Sequence, residues 1–337
     1  MIQVGIIGVG RIGQVHLRSI LSGVPDAKIR AVADSNISAS TEQLLQNLGI
    51  KHIERDYQTI LNDPAIDAVL ICSPTNTHAE ISIAAIEAGK HVFCEKPIDH
   101  DLEKIEAVET ALRESGGQLI YQVGFNRRFD HNFRALKQAV TDGKIGDVQF
   151  IRVSSRDPEP PHAEFIRSSG GLFLDMMIHD LDMIRYLSDS EVEEVFAYGA
   201  VLVDPAIGDA GDVDTATVSA RMSNGALALI DNSRKAVYGY DQRAEVFGSK
   251  GSVQNGNDLP SSMILSTVDG VTTEKPLWFF LERYMASYQA EVRSFIRCIE
   301  QNTQPEIGIA DGRMTIRIAL ACKKSLVEHR PVRIDEI

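Results

Sequence analysis

The sequence predicts a two-domain α/β protein, in which a doubly wound parallel sheet is followed by a domain built on a large, mostly antiparallel sheet. Three observations carry that prediction. Within residues 1–123, short apolar runs alternate with helical segments, the pattern of a parallel sheet covered on both faces. From Gly124 onward, β-rich segments follow one another through turn residues. The length of 337 residues exceeds one ordinary core and suits two domains of about 150 residues each. The expected boundary lies between residues 123 and 124.

In the first domain the strand candidates are Gln3 to Ile7, Ile29 to Ala33, Ala68 to Cys72, His91 to Cys94 and Leu119 to Val123. Helical spacing is expected at Ile12 to Leu21, Ser38 to Leu48, Ala79 to Ala88 and Leu102 to Glu114. In the second domain "VQFIRVSS", "DTATVSARM", "ALALIDNSR" and "RAEVFGS" are strand candidates. "SNGA" at 223–226 reads as a hairpin turn, with Asn224 and Gly225 suited to positive φ. Helical patterns from Phe280 to Glu300 and from Ala310 to Val327 follow.

Composition narrows the functional classes. A hydrophobic content of 44% and a charged content of 24% are ordinary for a globular chain. The net charge of -13 argues against nucleic acid as a partner, because tracking phosphates needs a basic face. Cys72, Cys94, Cys298 and Cys322 form no CxxC, so neither a zinc site nor a disulfide framework is signalled. Cys72 and Cys94 close apolar runs and read as small hydrophobes of a buried sheet. "MIQVGIIG" enters a strand pattern at once, with no basic leader ahead of it, and no apolar run reaches the roughly 18 residues that span a membrane. A cytoplasmic protein with no membrane partner is expected.

The first strand runs into "GVGRIG", which places Gly8, Gly10 and Gly13 between a strand and a helix. The first glycine permits the tight turn, the second lets a pyrophosphate approach the backbone, and the third allows close helix packing. The anion then meets free amides at the positive end of the helix, beside Arg11 and Ile12. The next strand ends in Asp34, about 20 residues further on, where a carboxylate accepts hydrogen bonds from ribose hydroxyls and repels a 2′-phosphate. A dinucleotide site is predicted, for NAD rather than NADP. Two more loops, "CSPTNTH" and "CEKP", leave the carboxyl ends of strands, where such sheets bind ligands. Their cofactor candidates are Ser73, Thr75, Asn76, His78, Glu95 and Lys96. The plainer alternative makes Thr77 a helix cap and Pro97 a turn.

"GGLFLDMMIHDLD" at 170–182 mixes apolar helical spacing with three carboxylates and a histidine. At about 100° per residue from Asp175, His179 falls near 40°, Asp182 near -20° and Tyr186 near 20°, with Met177, Leu181, Ile184 and Leu187 opposite. Asp180 alone falls among the apolar side, near 140°. Either it faces a polar contact from another segment, or the helix begins late.

Together these motifs resemble the Gfo/Idh/MocA oxidoreductase family, in the expected order and over essentially the whole chain. "GFNRRFD", "SRDP", "YGYDQRAEVFGSKG" and "FFLERY" extend the likeness to its cyclitol-oxidising members. The resemblance implies an N-terminal Rossmann domain and a C-terminal α/β domain whose open sheet mediates subunit contacts, commonly in a homotetramer. It implies a catalytic trio of Lys96, Asp175 and His179, and substrate contacts from these and from Arg127, Asp157 and Tyr238. The implied reaction is NAD-dependent oxidation of myo-inositol to scyllo-inosose.

The chemistry suits those residue types. Oxidising a secondary alcohol requires loss of the hydroxyl proton as hydride leaves carbon, and histidine accepts a proton near neutral pH. Asp175 can orient the imidazole or bind a neighbouring hydroxyl, and Lys96 can stabilise the developing alkoxide. Standing alone, Asp175 and His179 would read as a helix-surface pair or as chelating groups. Arg127 could equally make a surface ion pair and Tyr238 pack in a sheet. Trp278 and Tyr284 line either the pocket or a packing interface. Rival readings are another inositol isomer, a pyranose sugar, or a non-enzymatic dinucleotide sensor, which would not need the trio.

Overall fold

The computed structural model describes residues 1–337, apart from the side chain of Ala163. The chain divides into two compact units, one of residues 1–129 with 285–314 and one of residues 130–284 with 315–337.

The apolar runs of the first unit form strands β1 (Ile2–Ile7), β2 (Ala27–Ala33), β3 (His52–Glu54), β4 (Ala68–Ile71), β5 (His91–Glu95) and β6 (Tyr121–Gly124). They make one parallel sheet in the order β3-β2-β1-β4-β5-β6. Helices α1 (Arg11–Gly23), α2 (Ala39–Asn47), α3 (Gln58–Leu61), α4 (His78–Glu87) and α5 (Leu102–Glu114) alternate with them. All of "AVLI" in β4 is buried, as a strand covered on both faces requires. The short β3 was not among the expected strands. It is an edge strand of three partly exposed residues, too short and polar for an apolar run.

The second unit begins with α6 (His131–Thr141), β7 (Val148–Arg156), α7 (Ala163–Ser169), α8 (Leu172–Asp175) and α9 (Ile178–Ser188). It continues with β8 (Val192–Ala200), α10 (Pro205–Asp209), β9 (Thr215–Met222), β10 (Leu227–Ser233), β11 (Asp241–Gly248) and β12 (Gly251–Gln254). An exposed hairpin of β13 (Ile264–Thr267) and β14 (Gly270–Thr273) precedes α11 (Phe280–Arg283). The chain closes with α12 (Met285–Gln301), α13 (Ile309–Glu328) and β15 (Val332–Arg333). The seven-stranded sheet has the order β12-β11-β7-β10-β9-β8-β15. It is antiparallel except where β10 pairs parallel with β7. Alternating burial along β9 gives one core face and one open face.

Four local expectations change. Gly225 takes a positive φ of 87°, whereas Asn224 does not and instead accepts the amide of Ala226 through its side chain. The helical pattern from Phe280 breaks at Tyr284, which separates α11 from α12. The segment around Asp175 is two helices, since the His179 amide reaches only the carbonyl of Met176. Residues 285–314, placed beyond the expected boundary, pack in the first unit, where Val292, Phe295 and Ile296 join Val4, Leu17 and Phe93 in one core.

Candidate active site

In the first unit the loop after β1 is defined by backbone contact. Gly8 has φ 90°, and a Cβ there would come within 2.5 Å of the Ser73 amide nitrogen. A Cβ on Gly13 would lie 2.0 Å from the carbonyl oxygen of Gly8. A Cβ on Gly10, by contrast, would meet nothing within 4 Å. Gly10 is also the N-cap of α1, with no side chain capping the first amides. Open space in front of uncapped amides is a cradle for an anion, so these residues fit a dinucleotide pyrophosphate. Arg11 is exposed and Ile12 half-buried at the start of that helix.

Asp34 lies just past β2, and its two oxygens accept the amides of Val9 and Asn36, each at 2.8 Å. The carboxylate thus ties the glycine loop to the second strand. After β4, Thr75 and Asn76 sit on a single turn of 3₁₀ helix, and Ser73 is bonded to Thr77 side chain to side chain at 2.7 Å.

Two expected cofactor residues point inward. The buried imidazole of His78 meets the carbonyl oxygen of Pro97 from Nδ1 at 2.7 Å and that of Ser73 from Nε2 at 2.8 Å. Burial opposes its charge, yet the neighbouring Cys94 sulfur and the two carbonyls raise its pKa to about 9. The Glu95 carboxylate contacts His16 Nε2 at 2.6 Å and accepts the Lys96 amide at 3.2 Å. Lys96 itself is half-buried.

Sequence reasoning missed the network behind this loop. His16 and Glu291 are fully buried, and both oxygens of Glu291 lack a hydrogen-bond partner. Burial, and then the charge of Glu95, push the Glu291 carboxyl well above the usual range. Ligating atoms of His16, Glu95 and Glu291 all lie within 4.8 Å of one another. At 2.6 Å the first two are hydrogen-bonded, and the Glu291 carboxyl lies beside that pair. His16 could have been noticed on the buried side of α1, but Glu291 lies nearly 200 residues beyond Glu95 in an amphipathic helix and gives no local signal.

In the second unit α8 and α9 carry the carboxylate-rich segment. Asp175 ends α8, and its carboxylate is 3.6 Å from the guanidinium of the buried Arg234. That guanidinium also lies 3.8 Å from Asp212, whose oxygens accept the Leu172 amide at the start of α8. Arg234 and Asp212 therefore seat the helix that presents Asp175, and neither falls in a recognisable motif. His179 is half-buried in the first turn of α9.

Asp180 has a defined place. It is fully buried and accepts hydrogen bonds from the Ser155 hydroxyl at 2.5 Å and the Asn232 amide at 2.8 Å. It pins α9 to β7 and β10, the polar contact from another segment that its position among apolar neighbours required.

The other expected substrate residues are more dispersed. Arg127 is buried on the turn between β6 and α6. Asp157 follows β7, with its amide bonded to Ser233 and its carbonyl to Ala236. The Tyr238 hydroxyl donates to Asp241 at 2.6 Å and accepts from Arg156 at 3.1 Å, so its phenol belongs to an ion-pair network. Burial, followed by the Asp241 hydrogen bond, raises its pKa. Tyr284 is buried against Tyr240, whereas Trp278 is exposed. All four cysteines are buried and unpaired. Among the described residues, no helix is long and apolar enough to cross a membrane.

Residues 2–125 match the oxidoreductase family with an NAD-binding Rossmann fold, and residues 133–254 match the GFO/IDH/MocA C-terminal domain. The chain is 47% identical to the myo-inositol 2-dehydrogenase of Thermotoga maritima, over 99% of each chain. It is 43% identical to the inositol 2-dehydrogenase of Rhizobium meliloti, again over 99% of each. It also superposes with a TM-score of 0.92 on the scyllo-inositol dehydrogenase of Lactobacillus casei, solved with bound NAD(H) and scyllo-inositol, at 32% identity over 99% of each chain.

Proposed function

The chain belongs to the GFO/IDH/MocA oxidoreductase family, and from that membership we propose that it is an NAD-dependent inositol 2-dehydrogenase converting myo-inositol to scyllo-inosose. The observation that carries the reading is the 47% identity, end to end, with a myo-inositol 2-dehydrogenase. The open anion cradle at Gly10 supports the cofactor half of it.

Bound NAD supplies the hydride acceptor for the carbon being oxidised. The chain's own groups do the rest. His179 takes the hydroxyl proton onto its imidazole as general base. Asp175, steadied by Arg234, orients that imidazole or holds a neighbouring hydroxyl. The Lys96 ammonium stabilises the developing alkoxide. Asp34 favours NAD, because a 2′-phosphate would meet a carboxylate already fixed by two backbone amides. Arg127, Asp157 and Tyr238 supply further polyol contacts. In this reading the protein is cytoplasmic, and the unit of residues 130–284 and 315–337 binds substrate and builds a homotetramer, an association that the exposed Tyr198, Leu227 and Phe247 on its sheet support.

NADH formation across myo-, scyllo- and chiro-inositol, glucose and xylose tests the proposal. The expected result is the highest kcat/KM with myo-inositol and NAD. The likeness to a scyllo-inositol dehydrogenase makes scyllo-inositol the second reading. Turnover of sugars but of no cyclitol would overturn both, and binding without turnover would favour a sensor.

A further inference from the structure

We propose that two buried histidines, His16 and His78, are positioning residues for Lys96, each holding the residue on one side of it. His16 Nε2 lies 2.6 Å from the carboxylate of Glu95, the residue before Lys96. His78 Nδ1 lies 2.7 Å from the carbonyl oxygen of Pro97, the residue after it. The other Glu95 oxygen accepts the Lys96 amide. The Glu95–Lys96–Pro97 segment is thereby held at three points, the Glu95 carboxylate, the Lys96 amide and the Pro97 carbonyl, the first and last of them by imidazoles.

The two grips differ chemically. Both ring nitrogens of His78 face carbonyl oxygens, Pro97 on one side and Ser73 on the other. Carbonyls only accept, so both contacts are hydrogen bonds only when His78 carries two ring protons. In that form it is an imidazolium bridging the loop after β4 to the turn after β5, with the Cys94 sulfur as the titratable group against it. His16 instead donates to a carboxylate, and its ring packs edge-on against Phe93 at 5.0 Å and Tyr288 at 5.6 Å. Neither histidine offers an exposed face for a ligand. Their hydrogen bonds converge on the turn that carries Lys96, whose long flexible side chain magnifies small backbone shifts. A displacement of about 1 Å can cost about 100-fold in rate.

The inference rests on the role given to Lys96 above, and a double-mutant cycle separates the two claims. In the full-length protein, His16→Gln and His78→Gln are each expected to lower kcat by about 10- to 100-fold while NAD affinity stays within about twofold. Added to Lys96→Ala, each should cost less than about twofold further, because a positioning residue has nothing left to position. Histidine variants with unchanged kcat, or with their full loss retained in the Lys96→Ala background, would overturn the positioning role alone. An active Lys96→Ala variant would overturn the role of Lys96 and the positioning role with it. Should a histidine variant fail to fold, side-chain ¹⁵N spectra of the unmodified protein decide the matter. Both His78 nitrogens should be protonated from about pH 6 to 8, where an ordinary histidine loses its charge, and a neutral tautomer there would overturn the clamp.

Discussion

The loops at the carboxyl edge of the first sheet and the α8–α9 segment of the second unit present their chemistry by opposite means. The first is shaped by backbone, through glycines whose Cβ atoms would collide with main-chain atoms and a histidine that grips two carbonyls. The second is shaped by buried side-chain charges, with Arg234 between Asp175 and Asp212, and Asp180 between Ser155 and Asn232. Backbone-built sites depend on a few residue types at fixed spacing. Charge-built sites depend on partners from anywhere in the chain.

The largest expected effects test whether both regions serve one reaction. His179→Ala and Lys96→Ala should each lower kcat by at least about 100-fold with NAD binding retained, measured by initial rates and cofactor titration. Near-normal turnover of His179→Ala would remove the base from the second unit. A second test separates shape from charge within the glycine loop. Gly13→Ala places a methyl 2.0 Å from a carbonyl oxygen and should cost about 1–3 kcal/mol of stability. Gly10→Ala meets nothing within 4 Å, so it should weaken NAD binding and leave the melting temperature unchanged. Equal loss of stability in both would break the distinction.

For the second unit, Asp180→Ala strands a buried hydroxyl and a buried amide and should cost about 1–3 kcal/mol in urea unfolding. Asp180→Asn, which keeps one acceptor, should cost less. If Asp180→Ala is neutral, side-chain pairing does not hold α9. The smallest effect concerns Glu291. Its folded pKa is raised by burial and by Glu95, so its contribution to stability is full below the unfolded carboxyl value and is lost as pH rises towards the folded value. Glu291→Gln should therefore flatten the decline in melting temperature above about pH 4.3, the ordinary glutamate value. An unchanged pH profile would mean that Glu291 is ionised in the fold.

The same contrast explains what was legible in the sequence. The parallel sheet, the glycine loop and Asp34 follow from periodicity and spacing, which are local properties. The placement of Asp180 could be posed as a question from its position on the helix, but its partners lie on β7 and β10 and carry no pattern. Arg234, Asp212 and Glu291 were invisible for the same reason, as was the inward use of His78 and Glu95, since a motif does not state which way a side chain points. The break between α8 and α9 was legible only as the alternative of a helix that begins late, because apolar spacing runs through it unaltered.

The return of α12 to the first unit sets an order of events during synthesis. A nascent chain that has emerged only as far as Phe129 holds every strand of the parallel sheet, yet Val292, Phe295 and Ile296, which complete its core, are still unmade. The first unit to be translated thus stays unfinished until residues 285–314 appear, and its core closes only after residues 130–284 of the second unit have been made. Contacts so distant in sequence form slowly and leave apolar surface open meanwhile. A chain truncated before α12 should consequently be a client for chaperones rather than a free-standing dinucleotide-binding module.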